Sequence, residues 1–270
     1  MCAAPASASV TAPPASCADV VAANPSATDG NYTIYPNDEA FTVYCADMST
    51  APKEYLTLQN TTNANFSTDV DSSGGSVVTD FTKVRLDPAT LRVDITDATF
   101  STTSGYVNYN NHYGPEDYAV ASDCAWYYDA GGTANVDLTG TSFYVNDTFI
   151  PQGWGQAGTS TFSSNNQVVN LTGGGYCGDN EPSGHTYLQL GYSGIMVNTP
   201  SGLKSLVGQF STNPGVTAGL DSKLDAIAQA PNANAKAGSV RAFINQVNAQ
   251  TGKALTADQA SALVELVQAL

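Results

Sequence analysis

The sequence has few charged residues, and few of those are basic. Of its 270 residues, 12% are charged, with 9 Lys and Arg against 24 Asp and Glu, which gives a net charge of −15. The acidic excess lies before residue 199, where the net charge is −16, whereas residues 199–270 carry +1. Because a negative surface repels nucleic-acid phosphates and anionic lipid headgroups, we predict that neither is a partner.

Long apolar segments are also missing. A helix needs about 18 consecutive apolar residues to span a bilayer, and the sequence has no such run and no apolar signal-peptide core after Met1. The hydrophobic content of 42% is still that of a globular protein. We therefore predict a folded chain without a membrane span. Residues 1–16 are predicted to form a disordered Ala/Ser/Pro-rich leader or linker.

Histidine is scarce, which argues against the usual zinc chemistry. The two histidines, His112 and His185, are 73 residues apart, and the sequence has no His-Glu-x-x-His motif. A zinc endopeptidase of that class needs two histidines one helical turn apart with a glutamate base between them. We predict no catalytic residues, no zinc site and no cofactor, and we interpret both histidines as loop residues near the surface.

Cysteines are few but informative. They occur at positions 2, 17, 45, 124 and 177, and the odd number predicts two disulfides with Cys2 left over. Cys17, Cys45, Cys124 and Cys177 have neither the CxxC spacing nor the neighbouring histidines of a zinc site. We predict that these four form two bridges, with all three pairings open. Disulfides require an oxidising compartment, so we expect the protein to be secreted or at the cell surface.

Short apolar runs with a period near two predict strands between residues 31 and 198. A hairpin is predicted where Asp87-Pro88-Ala89-Thr90 separates two such runs, because proline and aspartate favour a turn. The pattern indicates a mainly β, antiparallel, disulfide-stapled domain over residues 17–198. The runs are YTIY (32–35), FTVYC (41–45), EYLTL (54–58), LRVDI (91–95), ANVDL (134–138), QVVNL (167–171) and YLQLGY (187–192).

The pattern becomes helical after Ser201, where apolar residues recur every three or four positions. Asn213-Pro214-Gly215, Pro231-Asn232 and Thr251-Gly252 interrupt it, and Thr256 with Gln259 forms a capping box before the last segment. This predicts a small all-α bundle of about four short helices over residues 201–270.

Several blocks resemble the GON domain. That family is best known at the C-terminus of secreted thrombospondin-repeat zinc metalloproteases, where the domain is ancillary to the protease. The resemblance therefore implies an exported accessory module, and it invites a metalloendopeptidase label that the histidines do not support. The blocks are CADVVAANPSATDGNYTIYPNDEAFTVYCADM (17–48), KEYLTL (53–58), FTKVRLDPATLRVDITDATF (81–100), ANVDLTGTSF (134–143) and VVNLTGGGYCG (168–178).

The C-terminal segment is similar to a different module. LVGQF (206–210), LDSKLDAI (220–227) and AFINQVNAQTGKALT (242–256) resemble the FIMAH module, which ends large bacterial secreted proteins. The role of that module is undefined, and we predict that the bundle serves as a terminal adaptor.

Paired carboxylates raise one catalytic alternative. Glu116 with Asp117, or Asp179 with Glu181, beside Trp126 or Trp154 as a sugar platform, would suit a glycosidase. In a domain this acidic such pairs arise by chance, and we interpret them as solvated loop charge.

Calcium is the one ion that the sequence suggests. Asp69 and Asp71, in the segment DVDSSG (69–74), resemble the beginning of a calcium loop, whose alternating oxygens suit a hard cation. The terminal glutamate of such a loop is missing, so an acidic turn is the simpler interpretation.

Aromatic residues are the remaining candidates for a binding surface. All 14 Tyr and both Trp precede residue 199. Such side chains either fill a β core or form a recognition surface. We predict a non-catalytic recognition or attachment module, ancillary to a larger exported system, whose partner is an extracellular protein or glycan. The alternatives are an accessory domain of a zinc metalloendopeptidase, without its own active site, and a structural spacer. The candidate surface residues are Tyr106, Tyr109, Tyr113, Trp126, Tyr127 and Tyr128.

Overall fold

The structure is a computed structural model that describes residues 12–107, 114–124 and 131–270. The helices are α1 (Cys17–Ala23), α2 (Pro200–Phe210), α3 (Pro214–Ala228), α4 (Ala233–Gln250) and α5 (Ala257–Ala269), with a 3₁₀ turn at Pro36–Asp38. The strands are β1 (Gly30–Ile34), β2 (Glu39–Ala46), β3 (Lys53–Thr57), β4 (Phe66–Asp71), β5 (Ser76–Phe81), β6 (Lys83–Asp87), β7 (Arg92–Asp94), β8 (Ser101–Tyr106), β9 (Ala121–Cys124), β10 (Gly132–Asp137), β11 (Phe143–Val145), β12 (Phe149–Ser163), β13 (Val168–Pro182), β14 (Tyr187–Tyr192) and β15 (Ile195–Met196).

The chain divides into two compact units. One contains residues 12–19, Thr33–Phe41 and Ile195–Leu270. The other contains Val20–Tyr32 and the described residues of Thr42–Gly194. The helices after residue 199 therefore share a unit with two short pieces from the first part of the chain.

The strands form two sheets within the described residues. One has eight strands, in the order β1-β2-β3-β6-β7-β14-β11 with β15 beside β2. The other has seven, in the order β10-β13-β9-β4-β5-β8 with β12 beside β13. Antiparallel pairs predominate, which confirms the predicted class, but β4 and β9 run parallel.

The predicted hairpin is confirmed at β6 and β7. Leu86 pairs with Val93 in an antiparallel register, and the Asp87 carboxylate accepts the Ala89 N–H at 2.9 Å and the Thr90 N–H at 3.3 Å. The aspartate therefore closes the turn, as its position before proline predicts.

All four predicted cysteines are disulfide-bonded, which confirms two bridges. Cys124 pairs with Cys177, 53 residues away, and Cys17 and Cys45 are the other two bridged residues. This disulfide links Cys177 of β13 to Cys124, the last residue of β9.

Asn65 organises the interior of the β unit. The side chain is 0% exposed and its backbone has φ 58°, a left-handed conformation that asparagine tolerates better than most residues. Its Oδ1 accepts the Tyr118 hydroxyl at 2.7 Å and the Asp137 N–H at 2.9 Å. Its Nδ2 donates to the carbonyls of Asn60 at 2.6 Å and Asp137 at 2.9 Å. The amide is thus fully hydrogen-bonded where water is excluded.

We expect Asn65→Ala to destabilise the protein by roughly 3 kcal/mol or more, because it leaves the Tyr118 hydroxyl and the Asp137 backbone unpaired in the interior. The measurement is urea unfolding followed by circular dichroism. Asn63→Ala is the matched control, since Asn63 has φ 56° but is exposed. Equal losses in the two variants would attribute the effect to backbone conformation and contradict the role of the network.

The four helices after residue 199 confirm the predicted bundle. Their N-termini are capped by the side chains of Thr199, Asn213, Asn232 and Thr256. Gln259 completes the predicted capping box with Thr256. None of the described helices is both long and apolar enough to cross a membrane. The buried core of this unit includes Leu203, Leu206, Val207, Leu220, Leu224, Ile227, Phe243, Val247, Leu263, Leu266 and Val267.

The sequence did not predict the helix α1 or the strands β4, β5, β8, β9, β11, β12 and β15. Ser16 caps α1, because its Oγ accepts the Asp19 N–H at 3.1 Å and donates to the Asp19 carboxylate at 2.8 Å. This Ser-x-x-Asp pattern is visible in the sequence, but a seven-residue helix has too few turns for a clear period. The strand β12 is rich in Gly, Ser, Thr and Gln, so it lacks the alternation that marks its partner β13.

Candidate functional site

Most of the predicted aromatic surface lies outside the described residues, including Tyr109, Tyr113 and the segment Trp126-Tyr127-Tyr128. Tyr106 ends β8 and is half-buried. Tyr118 is a core residue whose ring packs edge-on against Phe81, with the two ring centroids 5.1 Å apart.

The exposed aromatic side chain in the described region is Trp154. It is 74% exposed, and it lies opposite Tyr176 in the long hairpin of β12 and β13. The two ring centroids are 5.7 Å apart with an angle of 35° between the planes. The indole therefore presents an open face beside a second aromatic ring. The sequence does contain a signal for this position: Gly153 and Gly155 flank a large apolar side chain within an uncharged segment.

Bulges set the direction of Trp154. The register of the hairpin shifts on both sides of it. Gly153 has φ 86°, and a Cβ there would lie 2.6 Å from the Cα of Gly178, so only glycine fits. Cys177 lies between the register partners of Gly153 and Trp154, has φ 51° and is bonded to Cys124. Bulges of this kind re-aim side chains and concentrate near functional sites.

A cluster of carboxyl groups occupies the same sheet. Asp69 of β4 and Asp179 of β13 are both register partners of Ser122 on β9. Cross-strand partners share a face, so these carboxylates lie on one face with Cα atoms about 10 Å apart. Glu116 belongs to the segment that covers this face, since its N–H donates to Thr79 Oγ1 at 2.8 Å.

Burial and like charge shift these carboxyl groups toward their protonated forms. Glu116 is 8% exposed, and burial, with the charges of Asp69, Asp117 and Asp179, raises its pKa to about 8. Burial and the Glu181 charge raise the pKa of Asp179 to about 6, against the lowering effect of His185. The pKa of Asp117 is also raised, mainly by burial. Glu116 is therefore largely protonated at neutral pH.

The structure corrects the interpretation of these groups as solvated loop charge. It brings both predicted pairs, Glu116 with Asp117 and Asp179 with Glu181, into one partly buried cluster. Of the two histidines, His185 is exposed in a turn with its Nδ1 2.6 Å from the Glu181 carboxylate, and His112 lies outside the described residues. The depth of Glu116 limits access of a substrate to its carboxyl group.

The two aspartates considered for calcium have different roles. The Asp71 carboxylate accepts the Ser73 N–H at 2.8 Å, the Ser73 hydroxyl at 2.6 Å and the Gly75 N–H at 2.9 Å, which closes the turn between β4 and β5. Asp69 belongs to the carboxyl cluster. In the three described ranges, no group of three or more His, Cys, Asp or Glu residues is arranged to hold a metal ion.

A shallow cleft lies beside the turn that joins β12 to β13, with a volume of about 610 Å³. Its lining is neutral and rich in hydroxyl and amide groups. Asn165 and Asn166 project from the turn in left-handed conformations, with φ 55° and 63°. The lining residues are Thr141, Ser142, Tyr144, Asn165, Asn166, Gln167 and Ser193.

Comparison with known proteins assigns the β unit to a family. The GON domain family matches residues 14–74 and 68–192, which together cover more than half of the chain. The chain belongs to the GON domain family. This confirms the resemblance drawn from the sequence blocks, and the matched region contains Trp154, the carboxyl cluster and the four bridged cysteines.

One relative places the GON domain within a larger protein. The chain is 29% identical over 199 residues to "A disintegrin and metalloproteinase with thrombospondin motifs gon-1" of Caenorhabditis elegans. The match covers 63% of this chain but 9% of that protein. Because the matched region is a small share of that protein, the GON domain is an accessory domain in a metalloprotease-associated family. No solved structure matches the chain.

Proposed function

We propose that this chain is a non-catalytic recognition or attachment module, ancillary to a larger exported protein. The observation that carries the proposal is Trp154, which is 74% exposed on a bulged hairpin next to Tyr176. A rigid aromatic side chain supplies a large contact area at a low cost in conformational entropy. The neighbouring Tyr176 ring and the bulges on both sides of Trp154 support a binding role for this side chain.

The bridged cysteines support an exported location. Two disulfides persist in an oxidising compartment. The C. elegans relative is named as a metalloproteinase with thrombospondin motifs. We propose that the protein is secreted or displayed at the cell surface, where its partner is an extracellular protein or a glycan. The neutral hydroxyl- and amide-lined cleft beside Asn165 and Asn166 is the feature that favours a glycan.

The leading alternative is an accessory domain of a zinc metalloendopeptidase. The C. elegans relative supports it, but the two histidines lack the spacing of a zinc protease, so the catalysis would belong to another region. A structural spacer is the second alternative. We further propose that the domain works without a cofactor, with calcium near Asp69 as the ion to test.

The C-terminal helices form the second part of the proposal. The family match ends at residue 192, before α2 begins. We propose a domain division into a GON domain over residues 17–198 and a FIMAH-like adaptor over residues 201–270, after a leader over residues 1–16. The capped, well-packed helices are compatible with such an adaptor.

We expect Trp154→Ala to weaken ligand binding by roughly tenfold or more while leaving stability within about 0.5 kcal/mol, because the side chain is mostly solvent-exposed. The purified protein is screened against arrays of extracellular glycans and proteins, and each hit is titrated with both forms. Removal of a central aromatic anchor typically weakens binding by roughly tenfold or more. Met196→Ala is the control, since Met196 is another exposed apolar side chain, at 42%. Hits that bind Trp154→Ala as tightly as the wild type would contradict this site.

A further inference from the structure

The strand β12 has an open edge. In the part of the chain that the structure describes, it pairs with β13 alone. The register is regular from Ala157 to Ser163, opposite Gly174 to Val168. The second half of β12 therefore combines regular pairing on one side with a free side.

Thr159 shows which backbone groups point outward. Its N–H donates to Thr172 Oγ1 on β13 at 3.1 Å, and its carbonyl accepts the Asn180 side chain at 3.1 Å. Both groups of Thr159 are thus turned toward β13. Because the direction alternates along a strand, the N–H and C=O groups of Gly158, Ser160 and Phe162 point away from it. Within the described residues these outward groups have no hydrogen-bond partner.

This edge lacks the usual protection. Natural sheets guard an edge strand with charged residues, proline or bulges. The strand β12 contains no charged residue, and its proline and bulges are confined to its first half, from Pro151 to Ala157. The backbone from Gly158 to Phe162 is therefore a template for an additional strand.

Charge identifies the occupant. Two copies of this chain would repel each other at such an edge, because residues 1–198 carry a net charge of −16. At the other end of the strand, Gln152 pairs with Asp179 and Ile150 pairs with Glu181. Trp154 lies between this acidic end and the open edge, and an indole face attracts a Lys or Arg side chain.

We propose that an extended basic segment of a partner protein adds to β12 as an antiparallel strand. Its uncharged residues would pair with Gly158 to Phe162, and Lys or Arg at its C-terminal end would lie over Trp154. The proposal rests on the recognition function above and gives that function a partner class and a binding mode.

The test uses the full chain and a synthetic fluorescent peptide of alternating threonine and valine that ends in two lysines. We expect saturable binding by fluorescence anisotropy that weakens as salt is added. Ser160→Pro removes one outward N–H at an edge position that tolerates proline, and should weaken binding by roughly tenfold or more. Ser160→Ala keeps that N–H, and its affinity should stay within about twofold of the wild type.

A second measurement does not depend on how the variants fold. Methylating alternate backbone nitrogens of the peptide removes its strand hydrogen bonds, and we expect binding to be lost. Undiminished binding of the methylated peptide, or equal binding of a peptide that ends in two glutamates, would overturn the proposal. So would self-association of the chain that Ser160→Pro abolishes, since it would assign the edge to a second copy. A glycan that requires Trp154 but tolerates Ser160→Pro would overturn strand addition and leave the recognition function standing.

Discussion

Replacing Glu116 by glutamine is expected to raise the free energy of unfolding at pH 8 by about 2–4 kcal/mol, with little effect near pH 4. Burial and neighbouring carboxylates raise the pKa of Glu116 from 4.5 to about 8. Between these values the unfolded chain has lost the proton that the folded protein keeps. The folded protein therefore binds more protons, and its stability falls as the pH rises through that window.

The glutamine variant removes this pH dependence because its amide does not ionise. The backbone bond from Glu116 to Thr79 Oγ1 is unaffected by the change. The raised pKa of Asp179, about 6, acts in the same direction and remains in the variant. We therefore expect a shallower decline of stability with pH rather than a flat profile.

The measurement is urea unfolding at several pH values from about 4 to 8, in the wild type, Glu116→Gln and a control variant. Asp80→Asn is the matched control, because Asp80 is an exposed carboxylate on β5 of the same sheet. An identical pH dependence in Glu116→Gln and the wild type would show that Glu116 ionises normally and is not buried among carboxylates.

Removing the Cys124–Cys177 bridge is the second change with a large expected effect. The bridge closes a loop with a sequence separation of 53 residues, for which the loop-entropy model gives about 4 kcal/mol. The paired change Cys124→Ser with Cys177→Ser should lower the free energy of unfolding by about that amount. Because Cys177 is next to Tyr176 and opposite the bulge at Trp154, the ring pair should also lose its order.

Unfolding under non-reducing conditions measures the first effect, and the near-UV circular dichroism of the aromatic side chains measures the second. Cys2→Ser is the control, since it removes a cysteine while leaving the four bridged cysteines in place. A paired variant as stable as the control would contradict the predicted contribution of the bridge. A paired variant with an unchanged aromatic spectrum would show that the bulges alone hold the ring pair.

Features that depend on neighbours in the sequence were predictable. Asn213 followed by Pro214 begins α3, and Thr256 with Gln259 begins α5, because a helix N-terminus is satisfied by side chains within three residues. The turn at Asp87 is predictable for the same reason, since its carboxylate bonds the next two available N–H groups. Cysteine number and spacing likewise indicated two bridges, but not which cysteines pair.

The candidate site depends on contacts that no local pattern encodes. Asp69 and Asp179 are 110 residues apart in the sequence, and they share a face because β9 pairs with both of their strands. Trp154 and Tyr118 are both aromatic residues in the β unit, yet one is 74% exposed and the other is buried. A strand period of two predicts that alternate side chains share a face, but not which face is covered. The sequence by itself determined the four helices after residue 199, the turn at Asp87 and the bridged cysteines, while the pairing of distant strands decided where the carboxyl groups and the exposed tryptophan lie.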